Sequence, residues 1–179
     1  MEIQQTPFEG LLIIQPKVYK DARGYFMESY NQQLWGDALG VNFVQDNESL
    51  SQKGVLRGLH FQHPPFAQAK LVRVITGSVL DVVVDLRKNS VTYGQHFKML
   101  LTAENKEQLF IPKGFAHGFL TLEDNTLFSY KCSDYYHPES EDALLWNDTT
   151  LGIDWQIADP LLSEKDKVSK IFATFNSPF

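Results

Sequence analysis

The sequence predicts an all-β fold with a few short helices, and three observations lead there. Short runs of β-branched and aromatic residues recur along the chain. Turn residues such as Gly94, Pro112-Lys113-Gly114 and Asp124-Asn125 separate several of them. Only two segments carry helical spacing. Many short strands with few helices fit a sandwich, a jelly roll or a small barrel, and composition alone does not choose among these.

The clearest element is Lys70 to Leu86, KLVRVITGSVLDVVVDL, read as two strands joined by a turn at Thr76-Gly77-Ser78. Lys70, Val72 and Val74 share one face of the first strand, with Leu71, Arg73 and Ile75 on the other. In the second strand Val79, Asp81 and Val83 alternate with Leu80, Val82 and Val84. Further strands are expected at 11–15, 25–30, 55–61, 96–101, 107–111, 126–131 and 143–146. Asn31 to Leu39 reads as a helix capped by Asn31, with apolar positions at Leu34, Trp35, Ala38 and Leu39. Ser163 to Val168 reads as a short helical turn capped by Ser163.

With 179 residues and no linker, charge block or low-complexity stretch, the chain is expected to form one domain over 1–179. Hydrophobic residues make up 43% and aromatics 13%, enough to fill a core. The net charge of -6 argues against nucleic-acid binding, which needs a cationic surface. Cys132 is the only cysteine, so no intrachain disulfide can form. With no signal peptide, that predicts a cytoplasmic protein. The apolar run Leu11 to Ile14 is far too short for a membrane span.

Two stretches carry candidate chemistry. Gly54-Val-Leu-Arg-Gly-Leu-His-Phe-Gln62 puts Arg57 and His60 at the end of an apolar strand. Ile111-Pro-Lys-Gly-Phe-Ala-His-Gly-Phe119 contains Pro112-x-Gly114-x-x-His117, the spacing of the second half of the cupin motif. Metal-binding cupins usually supply His-x-His from the first half. Here that place reads His60-Phe61-Gln62, and His63 falls on the wrong face of a strand to substitute. A metal site needs three or four converging ligands, so none is expected. What remains is an acid–base set. A histidine base, a cation for an enolate oxygen and a phenol on the other side suit proton abstraction beside a carbonyl. Spacing alone does not establish that His60, Lys70 and Tyr130 meet. By spacing alone, too, Lys70 could snorkel, Tyr130 could pack in the core and His117 could simply donate to Asp81.

The chain resembles the dTDP-4-dehydrorhamnose 3,5-epimerases along nearly its whole length. The resemblance runs through Asp21-Ala-Arg-Gly-Tyr-Phe-Met-Glu28, Val44-Gln-Asp-Asn47, Gly54 to Gln62, Ala69-Lys-Leu-Val-Arg73 and Gly77 to Arg87. It continues through Phe110 to Phe119, Tyr130-Lys-Cys-Ser-Asp-Tyr-Tyr136, Trp146-Asn-Asp148 and Leu162-Ser-Glu-Lys-Asp166. It implies a cupin-like jelly-roll β-barrel that inverts C3 and C5 of a 4-keto-6-deoxyhexose carried on dTDP, with no metal or other cofactor. The chain has no Gly-x-Gly-x-x-Gly element for a redox cofactor either.

By the same resemblance, His60 is the base, Asp166 orients it, and Tyr130 is the acid on the opposite face. Lys70 steadies the enolate, with His117 and Asp81 in the same pocket. Arg23 and Arg57 hold the diphosphate with Lys165 nearby. Glu28, Gln45 and Asn47 meet the nucleotide, Phe26 and Tyr136 stack on thymine, and Glu141 touches the ligand. A homodimer is implied, with N-terminal residues reaching the partner's site. The same residues would also serve a 3- or 5-monoepimerase, and a binding protein without catalysis is the reading from another class. His63, His96 and His137 read as surface or loop residues, Phe61 and Phe119 as core or rim, and Asp85 with Arg87 as a local ion pair.

Overall fold

Alternation of inward and outward side chains dictates two stacked sheets in the computed structural model, which describes residues 1–179. The strands are β1 (Glu2–Gln5), β2 (Leu12–Gln15), β3 (Val18–Asp21), β4 (Gly24–Met27), β5 (Gln45–Ser51), β6 (Leu56–Gln62) and β7 (Lys70–Thr76). They continue with β8 (Ser78–Asp85), β9 (His96–Thr102), β10 (Gln108–Ile111), β11 (Phe115–Thr121), β12 (Thr126–Cys132) and β13 (Glu141–Ala143). One sheet has the order β1-β2-β10-β7-β12-β5 and the other β13-β6-β11-β8-β9, with all neighbours antiparallel. β3 and β4 form a separate hairpin. The two sheets face each other as a jelly roll, as the resemblance implies.

The core lies in three layers. Between the sheets, Val72 and Val74 of β7 meet Val79 and Val83 of β8, with Leu109, Phe115, Phe119 and Phe128. The predicted faces of both strands are therefore the observed ones. Leu80, Val82 and Val84 point out of the barrel and are covered by the C-terminal segment through Leu151, Trp155, Phe172 and Phe175. With apolar layers on both sides, every residue of β8 is buried. On the outer face of the first sheet, Leu12, Ile14 and Leu71 pack under Trp35 and Leu39.

Asn31 caps the helical segment as expected, its side chain accepting from the amides of Gln33 and Leu34. Two of its four expected apolar contacts fail. Trp35 and Leu39 are buried, but Leu34 and Ala38 face solvent, because the turn opens as a π-helix over Gln32–Gly36 and rotates them off the sheet. The last expected strand, 143–146, pairs as Glu141–Ala143, and 25–30 pairs as Gly24–Met27. Strands β1, β3, β5 and β11 were not expected.

Gly77 makes the turn between β7 and β8 at a φ of +80°, where an added Cβ would sit 2.3 Å from Thr126 Oγ1. The predicted Asp85–Arg87 pair forms, with contacts of 2.7 and 2.9 Å, and Thr92 also donates to Asp85. No helix is long and apolar enough to cross a membrane.

Candidate active site

The barrel opens where β6 and β12 end and β7 begins, and that mouth gathers three of the expected catalytic side chains. His60 comes from one sheet, Lys70 and Tyr130 from the facing sheet, and all three line one pocket of about 240 Å³. Alternation explains the second pair: Lys70 follows the inward face of Val72 and Val74, and Tyr130 that of Phe128. Lys70 Nζ lies 5.9 Å from the Tyr130 ring centre.

His60 is set by a close strand crossing. Gly58 of β6 has a φ of +135°, and a Cβ there would stand 2.4 Å from Gly118 Cα on β11. Two glycines let these backbones approach, and the pairing register shifts between His117 and Phe119. Beyond this irregularity His60 turns to the mouth while Leu59 and Phe61 join the outer core, Phe61 also edging the pocket.

Asp166 reaches His60 from the C-terminal segment, which is pinned on both sides of it. Leu161 bonds the backbone of Gly54 and Leu56, and Lys170 that of Ala143 and Leu145. Between these anchors a short 3₁₀ turn places Asp166 Oδ1 2.6 Å from His60 Nε2. Burial pushes the Asp166 carboxyl up, but the bonds from His60 and Ser163 outweigh it and hold the group below its ordinary range. With the carboxylate accepting from Nε2–H, Nδ1 is left as the basic nitrogen of the neutral ring.

Burial lowers the Lys70 ammonium, opposed by Cys132, Asp81 and Glu141. Burial raises the Tyr130 phenol, with Arg57 acting against it, so the hydroxyl keeps its proton at neutral pH. Gln45, Asn47, Tyr136 and Glu141 line the same pocket. Asn47 donates to Cys132 Sγ at 3.6 Å, and the amide of Tyr136 donates to Gln45. Glu141 accepts from the Tyr136 hydroxyl at 2.8 Å and from Lys165. Arg57 lies with Lys165 and Asp166 in an adjoining recess beyond His60.

Five expected residues lie deeper than the pocket or elsewhere in the chain. His117 and Asp81 pair at 2.9 Å inside the barrel and do not line the pocket. Arg23, Phe26 and Glu28 sit on or beside the β3–β4 hairpin, lining hollows that contain none of the expected catalytic residues. Arg23 is held by Asp21, and Phe26 is 68% exposed.

Gln62 is spoken for by main chain, donating to Phe66 and Tyr135 and accepting from His137. His63 bonds Asp142, His96 the carbonyl of Leu151 and His137 the Ser140 hydroxyl, outside the pocket. Two pocket neighbours were missed. Gln68 lines the mouth from a loop with no periodicity to reveal it. Cys132 was readable by alternation, since it shares the inward face of Tyr130.

The family model for dTDP-4-dehydrorhamnose 3,5-epimerase matches residues 5–174. This chain belongs to the dTDP-4-dehydrorhamnose 3,5-epimerase family. Among its relatives, the Escherichia coli dTDP-4-dehydrorhamnose 3,5-epimerase is 53% identical over 93% of this chain and 92% of its own. A dTDP-6-deoxy-D-glucose-3,5-epimerase from Legionella pneumophila, solved with dTDP-4-keto-L-rhamnose, is 48% identical. It superposes with a TM-score of 0.93 over 98% of this chain and 94% of its own. A 3'-monoepimerase from Streptomyces bikiniensis, solved with dTDP-quinovose, is 33% identical with a TM-score of 0.89, over 94% and 87% of the two chains. Family membership makes the chain an isomerase of sugar nucleotides with a cupin-like jelly roll.

Proposed function

We propose that the chain inverts C3 and C5 of a dTDP-linked 4-keto-6-deoxyhexose, each through an enolate at the C4 ketone. The observation that carries this reading is the placing of His60 and Tyr130 on facing sheets of one pocket. A sugar lying between them meets a base on one face and an acid on the other.

His60 Nδ1 takes the proton beside the ketone, and the ionised Asp166 steadies the imidazolium that forms. The electron pair moves onto the C4 oxygen, where the Lys70 ammonium offsets the charge. Tyr130 then delivers its proton to the opposite face of the carbon, and solvent exchange resets both groups. Arg57 and Lys165 hold the diphosphate, and Tyr136, 54% exposed at the rim, stacks on the base. Arg23, Phe26 and Glu28 serve the site of a partner subunit in a homodimer, which accounts for their distance from their own pocket.

NMR of dTDP-4-keto-6-deoxyglucose with the enzyme in D2O tests the reading. Deuterium at both C3 and C5 of the inverted product is expected. Exchange at one carbon alone would make it a monoepimerase, and no exchange would make it a binding protein.

A further inference from the structure

We infer that Ser163 is a positioning residue, which aims the Asp166 carboxylate at His60 and keeps it ionised. The inference rests on the reading of His60 as base.

The Asp166 side chain is 4% exposed, and each of its oxygens has one partner. Oδ1 takes His60 Nε2 at 2.6 Å and Oδ2 takes the Ser163 hydroxyl at 2.8 Å. The same hydroxyl accepts from the Asp166 amide at 3.2 Å. Two bonds thus close a ring between one pair of residues and fix how the carboxylate turns. The spacing Ser163-x-x-Asp166 is that of a helix-capping pair, and capping explains the amide contact. It does not explain why the hydroxyl proton is directed at the oxygen that His60 leaves open.

The chemistry gives that direction a use. A carboxylate taken out of water resists ionisation unless donors compensate. Asp166 must be charged to stabilise the imidazolium formed at each proton abstraction, twice per turnover. A hydrogen bond to a charged group in such a site commonly contributes a factor of ten or more.

The test compares Ser163→Ala and Ser163→Thr in the full chain, with His60→Ala and Asp166→Asn as references. Ser163 is exposed, so the threonine methyl has room. Ser163→Ala is expected to lower kcat about tenfold with KM within about twofold. The acid limb of its kcat profile should move to higher pH, because a carboxylate short of one donor binds a proton more readily. Ser163→Thr should restore rate and profile together. A Ser163→Ala enzyme with wild-type kcat and an unmoved acid limb would overturn the inference, whatever its melting temperature, and leave Ser163 a cap. If Ser163→Ala does not fold, Ser163→Cys carries the same test, since a thiol keeps the shape and donates weakly. Wild-type exchange in His60→Ala and Asp166→Asn would instead refute the base assignment itself.

Discussion

His60 and His117 are register partners on β6 and β11, yet each ends on a different aspartate at a different depth. His60 meets Asp166 at the pocket, with 30% of its side chain exposed. His117 meets Asp81 inside the barrel, where only 7% of the imidazole and none of the carboxylate is exposed. On the proposed mechanism the first pair reacts and the second is structural.

Removal of His117 tests that division. Asp81 Oδ1 already lacks a hydrogen-bond partner, so His117→Ala would strand the whole carboxylate in the core. A loss of roughly 3 kcal/mol is expected on breaking such a buried pair. Urea unfolding at neutral pH measures it. Unchanged stability would mean that the pair is not structural.

Lys70→Met should separate function from stability. Loss of an oxyanion stabiliser typically slows turnover by about two to three orders of magnitude. Stability should move the other way, because burial depresses the Lys70 pKa in the folded state. Below that depressed value the folded chain bears the cost of a partly buried cation, and the cost fades as pH rises towards the unfolded value. The variant should therefore melt above wild type at neutral pH, with the gap closing in alkali. A variant that melts lower would place the ammonium in a favourable site.

Tyr130→Phe should exchange substrate protons with D2O faster than it yields inverted product. The base and Lys70 remain, so the enolate still forms, and His60 often returns the proton to its original face. His60→Ala should do neither. Single-turnover deuteration and product configuration are followed together. Equal loss of exchange in both variants would make Tyr130 a positioning group.

Activity should survive exhaustive EDTA treatment in metal-free buffer. The amide standing at the first-half cupin ligand position, Gln62, is committed to Phe66, Tyr135 and His137. Restoration of a lost activity by one specific metal would sink this expectation.

Sedimentation at micromolar concentration should give a dimer, and mixed chains should show the shared site. Arg23→Ala and His60→Ala subunits are each expected to be impaired alone. In a mixed dimer one site carries both lesions and the other carries neither, so activity returns. No recovery would confine Arg23 to its own chain.

Legibility followed the source of each signal. β7 and β8 were readable because their burial is two-sided or alternating, and the inward set containing Lys70 followed from period two. β5, Gln45–Ser51, has the sequence QDNESLS and is held by its pairing with β12, so nothing local announces it. β1 is polar but for Ile3 and exposed throughout. β11 was not expected as a strand, its stretch being read only for the Pro112-x-Gly114-x-x-His117 spacing, although its Gly118 is what admits β6. The residue types of the pocket were legible, its depth was not. Whether His117 lines a cavity or lies beneath it depends on the opposite sheet, which no spacing encodes. Leu34 and Ala38 failed because a π turn changes which residues face inward.

The C-terminal anchor gives the site a calendar. His60 and Asp166 are separated by 106 residues, and the last strand of either sheet ends at Ala143. During synthesis at about 5–20 residues per second, His60 is made roughly 5 to 20 s before its aspartate. The barrel strands all precede Asp166 in the chain, so the partner of His60 is the last part of the site to be synthesised. On the proposed mechanism the site is complete only once the segment between Leu161 and Lys170 has docked.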